Sequence, residues 1–573
     1  MSKRFVLCFL LSIGLLGSQL HGQEIKLFMH ETANMIQAGK PVEMTLNFQP
    51  QTVSGKVTFD LVIKDYFNKT IWQKTLEKQV LPQQALQIPI QPGKLARGYY
   101  AVQFTAGWLG EKGQPQQCSG MDSFGVTQFV KRPAHQVLHN PYRFGIKYWE
   151  RDWFKPFEKM DVCYNMGMVW TREIFTGHIK ELDDLGFNIV IKVERFPAEC
   201  FDTNRYGPIE KWNKAKGVRY KWRSREKGWI VASVPDEQKY KAWLRSELGK
   251  LPATQNVFEI WNEPWNKFKP EDFATLCNWA VEVVREVRPN AIVGPNLGAS
   301  YAWDKAFAEA GGFKGVNMVV THPYTQRNPE NKMIGGFREL YIEQKRLYDQ
   351  YADQPVDLYA TEFGWGTPPE GDRSFVNETQ QAQWTVRHAL ALYAGGFKGF
   401  MPHVLGQDEK VKTDHESYFG FFRRSGHPKP VALAYANCAN QIDGSQFVGD
   451  LNMGTYVGAM LFEKQGVYTL ALWTSEQSKN VRLDLGISRV KRVDLMGDEQ
   501  TIDVQPANQN MTVTENVIYI VGVSPDMAKQ VVPFDPFVWD VDEFHSDLEK
   551  GRAQFHYPPR ESESDMRWLG KSQ

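Results

Sequence analysis

Two glutamates in this sequence stand where chemistry can be done. Glu263 closes the run Val257-Phe258-Glu259-Ile260-Trp261-Asn262-Glu263 and is followed by Pro264. Glu362 closes Leu358-Tyr359-Ala360-Thr361-Glu362 and is followed by Phe363 and Gly364. Both runs are short and largely apolar, as buried strands are. Proline cannot donate to a sheet ladder, so Pro264 stops its strand just past Glu263. Each carboxyl group therefore sits at a strand end. When two such groups face each other, one can protonate a leaving oxygen while the other attacks the adjoining carbon, and glycosidic bonds are cleaved in this way. A strand-end glutamate on its own reads as a solvated charge, because most glutamates are solvated.

Such a pair needs a scaffold whose strand ends converge. Strand-like runs occur at 143–147, 167–172, 188–193, 257–261, 291–294, 317–321, 356–361 and 398–402. Helical stretches separate them, among them 241–248, 273–287, 340–351 and 378–393. This alternation implies a parallel sheet, and the strand count is that of a closed (β/α)₈ TIM barrel over residues 141–442. No Gly-rich phosphate turn follows the first strand, which disfavours an open doubly wound sheet. Functional groups of such a barrel stand at the C-terminal ends of its strands. The fourth and seventh strands lie across the mouth from each other, so Glu263 and Glu362 face one another.

The flanks differ from the barrel. Period-two runs at 42–48, 56–63 and 98–104, with turns and no helices between them, predict an N-terminal β-sandwich over 24–130. Similar runs at 467–473, 481–485 and 517–521 predict a second β-sandwich over 443–525. The stretch 526–573 is polar and weakly patterned and is expected to be irregular. At the other end, Lys3 and Arg4 precede an apolar run and a polar stretch, the order of a signal peptide over 1–22. That run is shorter than the roughly 20 residues of a membrane span. A secreted or periplasmic protein without stable membrane insertion is therefore expected. An uncleaved N-terminal anchor is the alternative.

Composition excludes more than it assigns. The 67 basic and 66 acidic side chains nearly cancel, and no nucleic-acid partner is expected from that balance. The cysteines left after signal removal, Cys118, Cys163, Cys200, Cys277 and Cys438, are odd in number and far apart. They show no metal-ligand spacing, so neither a metal nor a disulfide framework is expected. No cofactor motif is present. The oligomeric state is not legible.

The words around the two glutamates carry a resemblance. Trp261-Asn262-Glu263-Pro264 resembles the fourth-strand signature of clan A retaining glycoside hydrolases, and Thr361-Glu362-Phe363-Gly364 resembles their seventh-strand segment. The pattern is family 39-like, with family 5 as the other candidate. The resemblance implies a carbohydrate substrate and a double displacement with Glu263 as acid/base and Glu362 as nucleophile. It implies that Asn262 bonds the sugar 2-hydroxyl. It also implies that Arg172, ending the second strand, keeps Glu362 ionised, although a surface arginine is the plainer reading. His322-Pro323-Tyr324 ends the sixth strand. Tyr324 is placed to bond the nucleophile, and His322 either lines the subsite or is a satisfied buried histidine. Tyr418-Phe419-Gly420-Phe421 and Pro428-Lys429-Pro430 are similar to the clan's closing segment. Many clan members end the eighth strand with a tryptophan, whereas this chain reads Phe400-Met401-Pro402-His403. Either His403 fills that space or Trp365 reaches in from the seventh strand.

Lys147, Lys192 and Arg195 fall near the ends of the first and third strands. Lys192 would bind an acidic sugar if these bases lined the cleft, but lysines that are solvated, or paired with Glu150, Glu194 and Glu259, are the favoured reading. An insertion at 201–234 carries Tyr206, Trp212, Tyr220, Trp222 and Trp229 among many bases, and such loops build clefts. The alternatives to an active glycosidase are an inactive glycan-binding barrel and a structural cell-surface protein.

Overall fold

The computed structural model describes residues 24–135, 140–149, 155–208, 229–230, 233–298, 300–325, 328–330, 336–369, 376–410, 412–413, 415–454 and 456–532. The expected signal peptide, most of the irregular tail and most of the aromatic insertion lie outside the described residues. The chain divides into two units.

The first unit holds Pro41–Lys94 and Tyr100–Asp122, together with the strand Glu24–Met29. It is the expected N-terminal β-sandwich. Pro41–Gln49 buries Val42, Met44, Leu46 and Phe48, and Gly55–Asp65 buries Val57, Phe59, Leu61 and Ile63. Alternate residues of a strand point to opposite faces, so each strand offers one apolar side. The two apolar sides meet where Phe48 stands edge-on to Phe59, ring centroids 5.4 Å apart.

The second unit holds the barrel and the C-terminal β-domain. Seven parallel strands run in chain order around the barrel: Trp170–Ile174, Asn188–Val193, Val257–Ile260, Ile292–Leu297, Met318–Thr321, Asp357–Ala360 and Gly399–Phe400. Residues 143–147 close the ring as the first stave. Phe144 bridges Phe400 and Gly145 bridges Trp170, with Gly145 N–H donating to Phe400 O (3.0 Å) and Ile146 N–H to Trp170 O (2.9 Å). The barrel is thus the expected one, and the seven strands are the second to eighth staves. The eighth is shorter than expected, because the chain leaves the sheet after Phe400. Val169, Trp170, Val190, Val257, Met318, Tyr359 and Met401 pack together in one core cluster of the barrel.

The helices are set by their ends. Pro270–Val287 starts at a proline, with Glu271 and Asp272 in its first turn, where a missing N–H and negative charge are both favourable. Glu378–Ala394 starts with a capping box between Asn377 and Gln380. The C-terminal domain is a seven-stranded sheet with a separate antiparallel pair of Lys479–Leu483 and Gln509–Val513. Val531–Val532 pairs with Gln446–Leu451, so ordered structure continues into the stretch read as irregular. Buried Arg387 ties this domain to the barrel by donating to Thr474 O (3.1 Å). Among the described residues no helix is long and apolar enough to cross a membrane.

Close approach of the fifth and sixth strands depends on one glycine. A Cβ on Gly294 would lie 1.7 Å from the Met318 carbonyl oxygen, a backbone atom that cannot swing away. Gly294→Ala should therefore cost at least about 3 kcal/mol, the upper end of overpacking penalties. Chemical unfolding measures this, and a variant as stable as its parent would contradict the packing described.

Candidate active site

The fourth strand ends at Ile260, one residue earlier than its apolar run suggested. Trp261 still donates its N–H to Val193 O (3.0 Å), but its backbone is left-handed (φ 69°), and so is that of Glu263 (φ 47°). Such φ values are uncommon outside glycine and persist only when the surroundings fix them. Here Trp261 is fully buried, edge-on to Phe268 at 5.0 Å, and Pro264 opens a 3-10 turn directly after Glu263. The bend turns Glu263 out of the ladder and into the barrel mouth. Its side chain keeps 33% exposure, against 12% for Glu362.

Across the mouth, Glu362 follows the seventh strand. Thr361 N–H pairs with Thr321 O (3.2 Å), and Phe363 O accepts from His403 N–H (2.8 Å). Gly364 then takes φ 139°, a conformation that favours glycine. These bonds tie the residues flanking Glu362 to the sixth and eighth staves.

Three groups donate hydrogen bonds to Glu362. Its Oε1 accepts from Arg172 Nη1 and from Lys147 Nζ (2.5 Å), and its Oε2 accepts from the Tyr324 hydroxyl (2.9 Å). His403 Nδ1 lies 3.8 Å from Oε2 and 3.2 Å from Lys147 Nζ. Burial alone would raise the Glu362 pKa. Lys147, His322, Arg172 and His403 oppose it and hold the carboxyl well below the usual range. Burial and the neighbouring Glu362 charge push the Tyr324 phenol far up, so it stays a donor.

Arg172 is itself fixed from behind. Its Nε and Nη2 each reach Glu259 at 2.6 Å, and Nη2 also donates to Asn262 Oδ1 (2.7 Å). Both Arg172 and Glu259 are buried. This two-pronged contact suits a planar guanidinium and fixes its direction. It also leaves the Nδ2 hydrogens of Asn262 without a protein acceptor among the described residues.

A second chain of bonds reaches Glu263. Asn296 Nδ2 donates to Glu259 Oε1 (2.8 Å) and contacts His322 Nε2 (2.9 Å). Glu259 is an acceptor, so the Asn296 amide is a donor and His322 Nε2 must accept. The imidazole proton then sits on Nδ1, 3.1 Å from Glu263 Oε1.

Glu263, His322 and Glu362 each bring one polar atom within 4.8 Å of the other two, the only group with metal-ligand potential found among the described residues. A divalent cation there would meet the charges of Lys147 and Arg172 and compete with Tyr324 for Glu362.

The structure thus brings together Glu263, Glu362, Asn262, Arg172, His322, Tyr324 and His403. It does not bring Trp365 or Lys192 to the carboxylates. The Trp365 indole stands edge-on to Trp384 at 5.6 Å and close to His388, on the helix Glu378–Ala394. His403, at the end of the eighth stave, stands beside Glu362 and edge-on to Phe419 at 5.2 Å. Lys192 pairs with Glu194 at 2.9 Å, and Lys267 shares that carboxylate at 3.2 Å. Burial of Glu194 is outweighed by Lys192, Lys267 and Arg195, so it stays ionised. The paired reading of Lys192 is the one seen.

Sequence reasoning offered Glu259 only as a partner for the strand-end bases Lys147, Lys192 and Arg195, whereas it pairs with Arg172, and it left Asn296 and Thr361 unassigned. A signal was present: Glu259 and Asn296 are polar residues inside apolar barrel strands, and such groups need partners. Lys429 was noted only as part of a motif. It is fully buried and donates to Thr367 Oγ1 (2.8 Å), Gln407 Oε1 (3.2 Å) and Tyr418 O (3.2 Å), which joins the loops after the seventh and eighth strands.

Neither a protein-family model nor a curated protein matches the chain. Solved structures do. A family 39 glycoside hydrolase from the gut symbiont Bacteroides cellulosilyticus WH2 matches with TM-score 0.62 at 15% identity, covering 87% of this chain and all of that one. A GH30 endoxylanase from Clostridium papyrosolvens C71 matches with TM-score 0.43 at 12% identity, covering 67% of this chain and 97% of that one. The first likeness shows that the chain has the multidomain barrel fold of that family 39 glycoside hydrolase.

The Arg172–Glu259 pair makes a stability prediction. Arg172→Met leaves Glu259 buried and uncompensated, at a cost of about 3–5 kcal/mol. Adding Glu259→Leu removes the stranded charge and should restore most of that loss. Urea unfolding of both variants measures this, and an undamaged Arg172→Met protein would contradict the pairing.

Proposed function

We propose that the protein is a secreted retaining glycoside hydrolase acting on an oligo- or polysaccharide by double displacement. The observation that carries this reading is the placement of an ionised, cation-held Glu362 with its oxygen within 4.8 Å of an oxygen of the more open Glu263. Retaining enzymes hold their two carboxyl groups about 5–5.5 Å apart, whereas inverting ones need about 6.5–9.5 Å to admit a water. The fold likeness to a described family 39 glycoside hydrolase supports the same reading. Secretion rests on the order of residues in 1–22.

On this reading the steps run as follows. Oε1 of Glu362 is committed to Arg172 and Lys147, so Oε2 attacks the anomeric carbon. That oxygen lies 3.9 Å from the His322 Nδ1 that Glu263 also faces. As the C1–Oε2 bond forms, the bond from C1 to the leaving oxygen breaks and Glu263 gives that oxygen its proton. Water then attacks C1 from the vacated side, Glu263 takes the water's proton, and Glu362 leaves as a carboxylate. Asn262 Nδ2 is the donor available to the sugar beside these atoms.

Three outcomes follow for purified protein on a panel of aryl glycosides. Glu362→Ala abolishes turnover. Glu263→Ala slows substrates with poor leaving groups by about 10²–10⁴-fold, the usual worth of general acid catalysis, spares activated ones, and is rescued by azide. The third concerns pH. Glu362 acts as the anion and its pKa is depressed, so activity is lost only as pH falls through that depressed value. The acid limb of kcat/KM should lie below the ordinary glutamate pKa of about 4.3. Turnover by Glu362→Ala equal to that of the parent would contradict the assignment.

A further inference from the structure

Glu263 leaves the fourth strand on a bend that its own residues do not favour. Trp261 and Glu263 both take left-handed backbone, which side chains beyond glycine rarely adopt. Two ties reach this bend from neighbouring residues of the third stave. The first is the ladder bond from Trp261 N–H to Val193 O. The second runs through a side chain. Lys267 Nζ donates to Asn262 O at 2.7 Å and to Glu194 Oε1 at 3.2 Å. A peptide unit is planar, so holding the Asn262 oxygen also holds the Glu263 nitrogen in the same plane. That nitrogen is one end of the bond about which the left-handed φ of Glu263 turns.

Lys267 follows the 3-10 turn Pro264–Asn266, and its own N–H donates to Pro264 O (2.8 Å). Its side chain folds back across that turn and closes it. Glu194 is the anchor. It comes directly after Val193, its side chain is buried, and it is shared with Lys192 at 2.9 Å. The Asn262 side chain has a separate anchor in Arg172 (2.7 Å), so Lys267 bears on the peptide and not on the amide. Resting on the glycosidase reading, we infer that Lys267 is a positioning residue for the general acid: anchored by Glu194, it holds the Asn262–Glu263 peptide so that the Glu263 carboxyl stays aimed at the leaving oxygen. The attacking carboxylate is positioned by other groups, Arg172, Lys147 and Tyr324. Loss of Lys267 should therefore damage proton transfer and largely spare attack.

The test is Lys267→Met on aryl glycosides of graded leaving-group acidity. Methionine keeps much of the stem, and Glu194 keeps Lys192 as a counter-ion. For poor leaving groups, which need the proton, kcat/KM should fall by about 10- to 100-fold, up to the effect of a misplacement of about 1 Å at a reacting group. For activated leaving groups it should fall far less, so the dependence on leaving-group acidity steepens. Lys267→Arg, which can still donate to both oxygens, should keep most of the activity on poor leaving groups. A double-mutant cycle gives the second readout: once Glu263→Ala has removed the acid, adding Lys267→Met should cost little more. An equal loss on activated and poor leaving groups, a loss that persists in full on the Glu263→Ala background, or an unimpaired Lys267→Met enzyme would overturn the inference and leave the glycosidase reading standing. Wild-type protein that hydrolyses no aryl glycoside would overturn both.

Discussion

The interior of this barrel depends on one guanidinium held between two carboxylates. Arg172 is buried, binds Glu259 through two nitrogens, and reaches Glu362 with a third. Glu259 satisfies most of its charge, so Arg172 can lend a donor to Glu362 without becoming the sole partner of either group. Because the guanidinium is rigid and planar, fixing one edge fixes the other. The positions of Asn262, of Asn296 and, through Asn296, of His322 follow from the same pair.

Around that core the site separates two like groups by environment. Glu362 is deep, cation-held and ionised, while Glu263 sits on a left-handed bend with more exposure, held by the His322 imidazole and by a long hydrogen bond from Asn266 Nδ2. Two glutamates can take opposite roles in one reaction when their surroundings differ in this way. The scaffold sustains the difference because the groups come from separate strands: Lys147 from the first stave, Arg172 from the second, Glu259 and Glu263 from the fourth, His322 and Tyr324 from the sixth, Glu362 from the seventh.

Much of this was legible in the sequence because periodicity reports burial, and burial fixes strands. The barrel, both flanking β-domains and the two glutamates were readable from short apolar runs ending in Asn-Glu-Pro and Thr-Glu-Phe-Gly. What was not readable depended on side-chain direction. The run 257–261 does not reveal that Trp261 breaks into a left-handed conformation, since tryptophan gives no local signal for it. Trp365 reads as a subsite aromatic until Trp384 and His388 are seen to take its ring. Lys147 and Lys192 are both strand-end lysines in sequence, yet one holds Glu362 and the other holds Glu194. Pairing across the barrel separates them, and pairing is a property of the fold. The strand Val531–Val532 was missed because two residues are too few to show a period.

The central claim is that Glu362 becomes covalently bonded to the sugar. The most direct measurement is mass spectrometry of the protein after incubation with activated 2-deoxy-2-fluoro glycosides, followed by peptide mapping. The structure predicts a single added glycosyl mass on the peptide containing Glu362, lost again when an acceptor releases the sugar. A label on Glu263, or turnover that inverts the anomeric centre with no label at all, would contradict it.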